Sequence, residues 1–208
     1  MSFSAFFSAQ ARRPDGLFGR TIMSLVFDRG NAFLNDFVSE LMSVQPYDRI
    51  IEIGFGTGNL IKKMAQHIDK GFIEGVDLSS TMLSLAQKRN KNSIGNGKVK
   101  IFAGNFDEIP YEKEIFTKAC SVNTLYFWPK PEHTAKKIAK ILKPGGKLIL
   151  AFEDIKQLEQ KKLDKNIFHL YTKSEVKNLL INAGFESDVS VQSRKRGKSV
   201  FHCVVAKK

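Results

Sequence analysis

The chain has 208 residues, a length that fits one domain burying a full core. Its 42% hydrophobic and 26% charged content excludes a disordered or fibrous chain, and no apolar run nears the roughly 20 residues of a membrane-spanning helix. The net charge of +12 admits nucleic acid, anionic lipid or acidic substrates as partners; the excess is +4 over residues 1–104 and +8 over 105–208. Solvated helix faces account for part of it, as where Lys136, Lys137 and Lys140 alternate with inward-facing Ile138, Ile141 and Leu142. Cys120 and Cys203 sit in apolar runs, which reads as buried thiols in a reducing compartment. Met1–Arg13 is a poor secretory signal, because its two Arg follow the short apolar part, so the expected location is cytoplasmic.

Taken in chain order, Arg12-Arg13-Pro14-Asp15-Gly16 predicts a turn. Residues 15–43 predict two helices, with Phe33, Leu34, Phe37, Val38 and Leu41 at helical spacing. Strand and helix then alternate. Strands are predicted over 49–53, 72–77, 99–103, 118–122 and 147–152. Helices are predicted over 60–67, 81–90, with Ser79 or Ser80 as N-cap, and 131–142, while 92–97 reads as a turn. The run Leu142-Lys143-Pro144-Gly145-Gly146 predicts a sharp stop. A last helix over 173–183 ends at Gly184, followed by strands over 187–192 and 199–206. The six residues between those strands are too few for anything but an antiparallel pair, whereas the alternation before them predicts a parallel sheet with helices on both faces.

The most informative stretch is Ile50-Ile51-Glu52-Ile53-Gly54-Phe55-Gly56-Thr57-Gly58. A buried strand enters a glycine turn that leaves bare backbone for a ligand, and the helix after it aims free N–H groups at the same place. A second strand ends in Asp77, the position that serves ribose hydroxyls. A dinucleotide site spaced from Gly54 and Gly56 wants glycine at 59, where Asn59 stands; here the third glycine comes one residue early, at Gly58.

This acidic-x-Gly-x-Gly-x-Gly run, with the acid ending the next strand and Leu142-Lys143-Pro144-Gly145-Gly146-Lys147-Leu148 downstream, resembles the class I S-adenosylmethionine-dependent methyltransferases. The likeness is to the broad small-molecule group that includes the ubiquinone/menaquinone C-methyltransferases. It covers residues 48–153 well and the tail in outline. It implies a Rossmann-like, doubly wound α/β fold: a seven-stranded, mostly parallel sheet with an antiparallel C-terminal hairpin and an N-terminal helical extension. The expected organisation is one domain, 1–208, with a helical cap over 1–46 and a catalytic core over 47–208.

The resemblance implies S-adenosyl-L-methionine as cofactor. Gly54, Gly56 and Gly58 let the backbone approach its methionine moiety. Glu52 orients the turn or reaches the ammonium through water, or is a plain structural acceptor. Asp77 takes the ribose, and Leu78 and Met82 either wall the adenine or belong to the core. Family members commonly carry Gly-Asp-Ala after the third strand. Here Gly104-Asn105-Phe106 puts a neutral acceptor, Asn105, opposite the adenine amino group, with Phe106 against the ring. Asn123 and the aromatic run after it face the transferable methyl. Tyr126 and Trp128 offer π faces that position an acceptor, or else pack under the sheet.

Other acceptor classes lose support here. The Asn/Asp-Pro-Pro-Tyr/Phe run of amino-methylating enzymes is absent, Cys120 follows Ala119 inside a strand, and no paired glutamates follow the fourth strand. No cluster has metal-ligand spacing. The expectation is a methyltransferase acting on a small or lipid-like molecule, with an RNA methyltransferase or a non-catalytic adenosylmethionine-binding module as alternatives. The apolar groups Phe3, Phe6, Phe7, Leu17 and Phe18 are too many for a free tail, so Met1–Arg20 is expected to lie as a lid over the active-site mouth.

Overall fold

The computed structural model describes residues 3–161 and 163–208; Met1 and Ser2, part of the expected lid, lie outside the described residues. Helix α1 (Phe3–Arg12) leads through a turn into an unbroken helical run of α2 (Gly16–Phe18), a π-helical turn (Gly19–Met23) and α3 (Ser24–Gly30), and then α4 (Ala32–Met42). The core follows as β1 (Arg49–Ile53), α5 (Asn59–Ala65), β2 (Phe72–Asp77), α6 (Ser80–Arg89), α7 (Lys91–Gly95), β3 (Val99–Ala103), β4 (Phe116–Val122), α8 (Pro131–Ile141) and β5 (Leu142–Glu153). The tail adds α9 (Ile155–Glu159), α10 (Lys173–Asn182), β6 (Ser190–Arg196) and β7 (Ser199–Lys207).

The seven strands form one sheet in the order β3-β2-β1-β4-β5-β7-β6. The strands from β3 to β5 pair in parallel, and β7 runs antiparallel to both its neighbours. The order reverses between β1 and β4, and in open α/β sheets the crevice beyond the carboxyl ends at that point takes the ligand.

Side-chain alternation divides the core into two layers. Along β5, Leu148, Leu150 and Phe152 join α8 and α10 through Ile138, Val176 and Leu180. Ile149 and Ala151 point the other way, into a layer with Leu34, Phe37 and Val38 of α4 and Ile61 and Met64 of α5. Helix α4, within the expected cap, is therefore a sheet-packing helix that reaches the site through Asn35, and α1 to α3 lie beside the site.

Three local expectations need correcting. Residues 92–97 are not one turn: Lys91–Gly95 forms a helical turn before Gly97 at φ 77°. The stop at 142–146 does not separate β5 from what precedes it. Phe116 pairs with Leu142 and Lys118 with Lys147, so Lys143–Gly146 bulges out of a strand that continues on both sides. The C-terminal hairpin closes through Gly197 and Lys198 alone, because Arg194-Lys195-Arg196 belongs to β6. An edge strand tolerates such charges, and Arg194 binds Glu40 through two nitrogens (2.7 and 2.6 Å) while its guanidinium lies 4.1 Å from the centre of the Phe37 ring.

Gly75, in the middle of β2, sets how closely the layers approach. A Cβ there would lie 2.7 Å from Ile61 Cδ1 and 2.9 Å from both Ile101 Cγ2 and Phe55 Cδ1. Gly75→Ala is expected to destabilise the fold by about 1–3 kcal/mol through overpacking. A lowered urea midpoint with an unchanged slope would show it.

Candidate active site

The turn after β1 is built by backbone geometry. Gly54 and Gly56 adopt φ of 78° and 52°, and a Cβ on Gly54 would overlap the Thr124 methyl. Gly54 N–H donates to Val76 O at 2.7 Å, tying the turn to β2. Asp77, at the end of β2, accepts from Gly56 N–H at 2.8 Å through Oδ2 and from Ser79 N–H at 2.9 Å through Oδ1. Each oxygen keeps a lone pair for another donor. Glu52 is 2% exposed, and its Oε2 has no hydrogen-bond partner among the described residues. Burial, and then the neighbouring Asp77 charge, push the Glu52 carboxyl well above its ordinary range. Burial also raises Asp77 to about 6, against the pull of the two N–H donors.

These groups line a cavity of about 500 Å³, within the range of small-molecule sites. Glu52, Gly54, Gly56, Asp77 and half-exposed Leu78 form one side. Asn105, Phe106, Asn123, Tyr126 and Trp128 also border it. The structure does not bring Gly58 or Met82 to the cavity. Gly58 is the left-handed N-cap of α5, where a Cβ would lie 2.8 Å from the Ala86 Cβ. Met82 is fully buried in the α5-side core, on the inward face of α6. The side-chain oxygen of Asn105 accepts from Asp107 N–H (3.1 Å) and its amide donates to Glu108 (2.8 Å), an arrangement internal to its own turn.

Tyr126 and Trp128 are 3% and 6% exposed, so both pack in the core as well as border the cavity. The Tyr126 hydroxyl donates to Asn123 Oδ1 at 3.2 Å and accepts from Glu153 N–H at 2.7 Å. Burial raises this phenol far above its usual range, which leaves it a protonated bridge. Asn123 sits at φ 55°, a conformation that Asn tolerates better than most residues.

The site has the parts that adenosylmethionine requires: bare backbone, two carboxylates ending adjacent strands, and an apolar slot. The methyltransferase-domain family matches residues 51–150. The uncharacterised methyltransferase YdaC of Bacillus subtilis is 28% identical over 86% of this chain and 93% of its own length. The chain is an S-adenosylmethionine-dependent methyltransferase with the class I fold. A second relative, the ubiquinone/menaquinone biosynthesis C-methyltransferase UbiE of Wigglesworthia glossinidia brevipalpis, is 28% identical over 52% of this methyltransferase, which spans only 44% of it. The fold is shared with a chain in the complex between the Haloferax volcanii Trm112 methyltransferase activator and a methyltransferase, at TM-score 0.79, 17% identity and 99% coverage of both chains.

Several residues at this site carry no local signal in the sequence. Asp28 of α3 receives both guanidinium nitrogens of Arg89 (3.0 and 2.7 Å), the Thr57 hydroxyl (2.5 Å) and the Asn59 amide (2.7 Å). It thereby fastens the N-terminal helices to the glycine turn, with Phe27 against Gly56. Asn31 accepts from Asn123 at 2.9 Å. Leu158, Leu163 and Phe168, from the segment after β5, border the cavity from another side. Asp107 also borders it; its Oδ2 accepts from Thr134, and its buried Oδ1 has no partner among the described residues.

Asp77 makes a pH signature. Only the carboxylate offers charge-assisted acceptance to a ligand hydroxyl. Adenosylhomocysteine binding is expected to weaken as pH falls through about 6. Asp77→Asn should bind roughly tenfold more weakly well above that pH and lose the step, as titration calorimetry would show. Stability of the ligand-free protein runs the other way. A carboxyl raised above its unfolded value of 3.8 contributes fully below that pH, and the contribution is lost as pH rises towards about 6.

Proposed function

We propose that this methyltransferase moves the methyl group to a small, lipid-like acceptor, with α1 to α3 as a lid. The observation that carries this reading is that one cavity joins the two carboxylates to an apolar wall. That wall includes Phe7 of α1, Val26 of α3, Trp128, Leu158, Leu163 and Phe168. A space closed by those side chains suits a compact apolar molecule better than a duplex or a folded RNA. The ubiquinone/menaquinone biosynthesis in UbiE's name agrees with a small-molecule acceptor.

In this reading Gly54 and Gly56 receive the methionine moiety, Glu52 answers the ammonium and Asp77 the ribose hydroxyls. Leu78 and Phe106 flank the adenine. Adenosylmethionine supplies a sulfonium methyl whose leaving group is already good. The protein then contributes positioning and exclusion of water. Tyr126 holds the acceptor loop through its two hydrogen bonds, and Trp128 forms the wall beside the acceptor. Neither thiol is a nucleophile here: burial pushes Cys203 up to about 12 and Cys120 well above its usual range. Of the basic residues on β6, Arg194 is engaged by Glu40 and Phe37, which supports the small-acceptor reading over RNA.

Transfer of labelled methyl into a lipid extract and into total RNA of the source cell tests the acceptor. Label in the organic phase alone is expected, and label in RNA alone would overturn the reading. Trp128→Phe should lower kcat/KM for the acceptor severalfold while leaving the adenosylhomocysteine dissociation constant unchanged. The lid has its own test. Arg12 ends α1 and Arg13 follows it, both exposed. Cleavage there is expected to slow when adenosylhomocysteine is added, because ligand favours the closed state. A rate indifferent to ligand, with full activity in a chain starting at Asp15, would remove the lid.

A further inference from the structure

Six of the eight large apolar side chains exposed among the described residues fall within residues 3–26: Phe3 (78%), Phe6 (36%), Leu17 (81%), Ile22 (45%), Leu25 (51%) and Val26 (41%). Ordinary surfaces scatter such residues singly. Here they gather on the helices that wall the active site, and of the six only Val26 also borders the cavity. The π-helical turn spans one residue more per turn than an α-helix. Around it Leu17, Ile22 and Leu25 are exposed and stay clear of the cavity, while Gly19 and Met23 are buried. The Phe6 ring meets Phe18 at 5.1 Å, which joins α1 to α2.

The charge on this segment is mainly basic. Arg12, Arg13, Arg20 and Arg29 are exposed, and none makes an ion pair among the described residues. Over residues 3–30 the acids are Asp15 and Asp28. Asp15 accepts from Gly16 N–H at 2.8 Å to cap α2, and Asp28 is bound by Arg89. An apolar face rimmed by uncommitted arginines complements an anionic bilayer surface, where apolar side chains enter the headgroup boundary and cations meet lipid phosphates. No helix among the described residues is long and apolar enough to cross a membrane, so the geometry is that of a surface lying on the bilayer.

We propose that the outer face of α1 to α3 docks on an anionic lipid bilayer. The proposal rests on the lipid-like acceptor and gives it a route: the helices that touch the membrane are those that wall the cavity, through Phe7, Met23 and Phe27. Opening them at the bilayer would admit an acceptor without its crossing water.

Co-sedimentation of the full chain with vesicles tests this without any methyl transfer. Binding to phosphatidylglycerol/phosphatidylcholine vesicles is expected, weakening severalfold on phosphatidylcholine alone and at raised salt. The variant Leu17→Ser with Leu25→Ser removes two outward apolar groups that do not border the cavity. It should lower vesicle affinity at least tenfold with an unchanged melting temperature and adenosylhomocysteine affinity. Absence of binding to anionic vesicles, or equal binding by the variant, would overturn the proposal. So would a concentration-dependent dimer abolished by the same variant, which would give the face to a second copy. Failure of the acceptor reading is separable: label in RNA with vesicle binding intact refutes the acceptor alone, and label in lipid with no vesicle binding refutes the docking alone.

Discussion

The site depends on the carboxylate of Asp77 holding two loops at once. Its oxygens accept from Gly56 N–H in the turn after β1 and from Ser79 N–H in the turn after β2. The bent glycine turn thus has a fixed partner before any ligand arrives, and so does the start of α6. Ser79 extends the linkage. Its hydroxyl accepts from Met82 N–H as a helix cap and donates to Pro14 O at the foot of the N-terminal helices. Asp28 closes the circuit from the other side by binding Thr57, Asn59 and Arg89. Preorganisation here is a network of hydrogen bonds among backbone and short side chains, which costs little conformational entropy to hold.

Two carboxylates in one poorly solvated pocket are a poor choice for stability. Burial raises both, and the Asp77 charge makes ionisation of Glu52 harder still. An unpartnered Glu52 oxygen inside the protein carries a desolvation cost of roughly 1–3 kcal/mol. Such a cost is tolerable where a ligand supplies the missing donor, and adenosylmethionine carries an ammonium and two ribose hydroxyls. The strain belongs to the same account: Asn123 at positive φ gives its amide to Asn31 and its carbonyl to Tyr126. An unfavourable backbone conformation is thereby held from the cap side and from the core side.

The sheet was legible because its signals are local. Strands β1, β2 and β3 end at the predicted residues, since each is a short apolar run that stops at a turn or a carboxylate. The glycine turn and Asp77 were legible for the same reason. What the sequence hid was long-range or depended on which way a helix faces. Asp28 and Arg89 are 61 residues apart, and neither has a neighbour that announces the pair. Met82 has the chemistry of an adenine wall, but α6 turns it into the core while Leu78, just before the helix, stays at the cavity. Gly58 belongs to the motif by spacing, yet its reason to be glycine is the close approach of α6 at Ala86. Arg194-Lys195-Arg196 resembled a loop by composition, and only the pairing partner β7 and the support of Glu40 make it a strand.

In the proposed function the cofactor rests on the ends of β1 and β2, and the acceptor on the ends of β4 and β5. Tyr126 binds the second pair as Asp77 binds the first. Its hydroxyl takes Glu153 N–H at the end of β5, and its carbonyl takes His169 N–H at 3.0 Å from the segment that carries Phe168. The Phe168 ring packs against Phe127 at 4.7 Å and Tyr126 at 5.8 Å. Changing the acceptor therefore need not disturb the cofactor. The residues that shape the apolar wall, Leu158, Leu163 and Phe168, lie between β5 and α10, outside the stretch matched by the family. The N-terminal helical segment touches both groups of strand ends, through Asp28 at the glycine turn and Asn31 at the loop after β4. A movement of α1 to α3 would reach both groups of strand ends together, as the proposed lid over a two-substrate displacement requires.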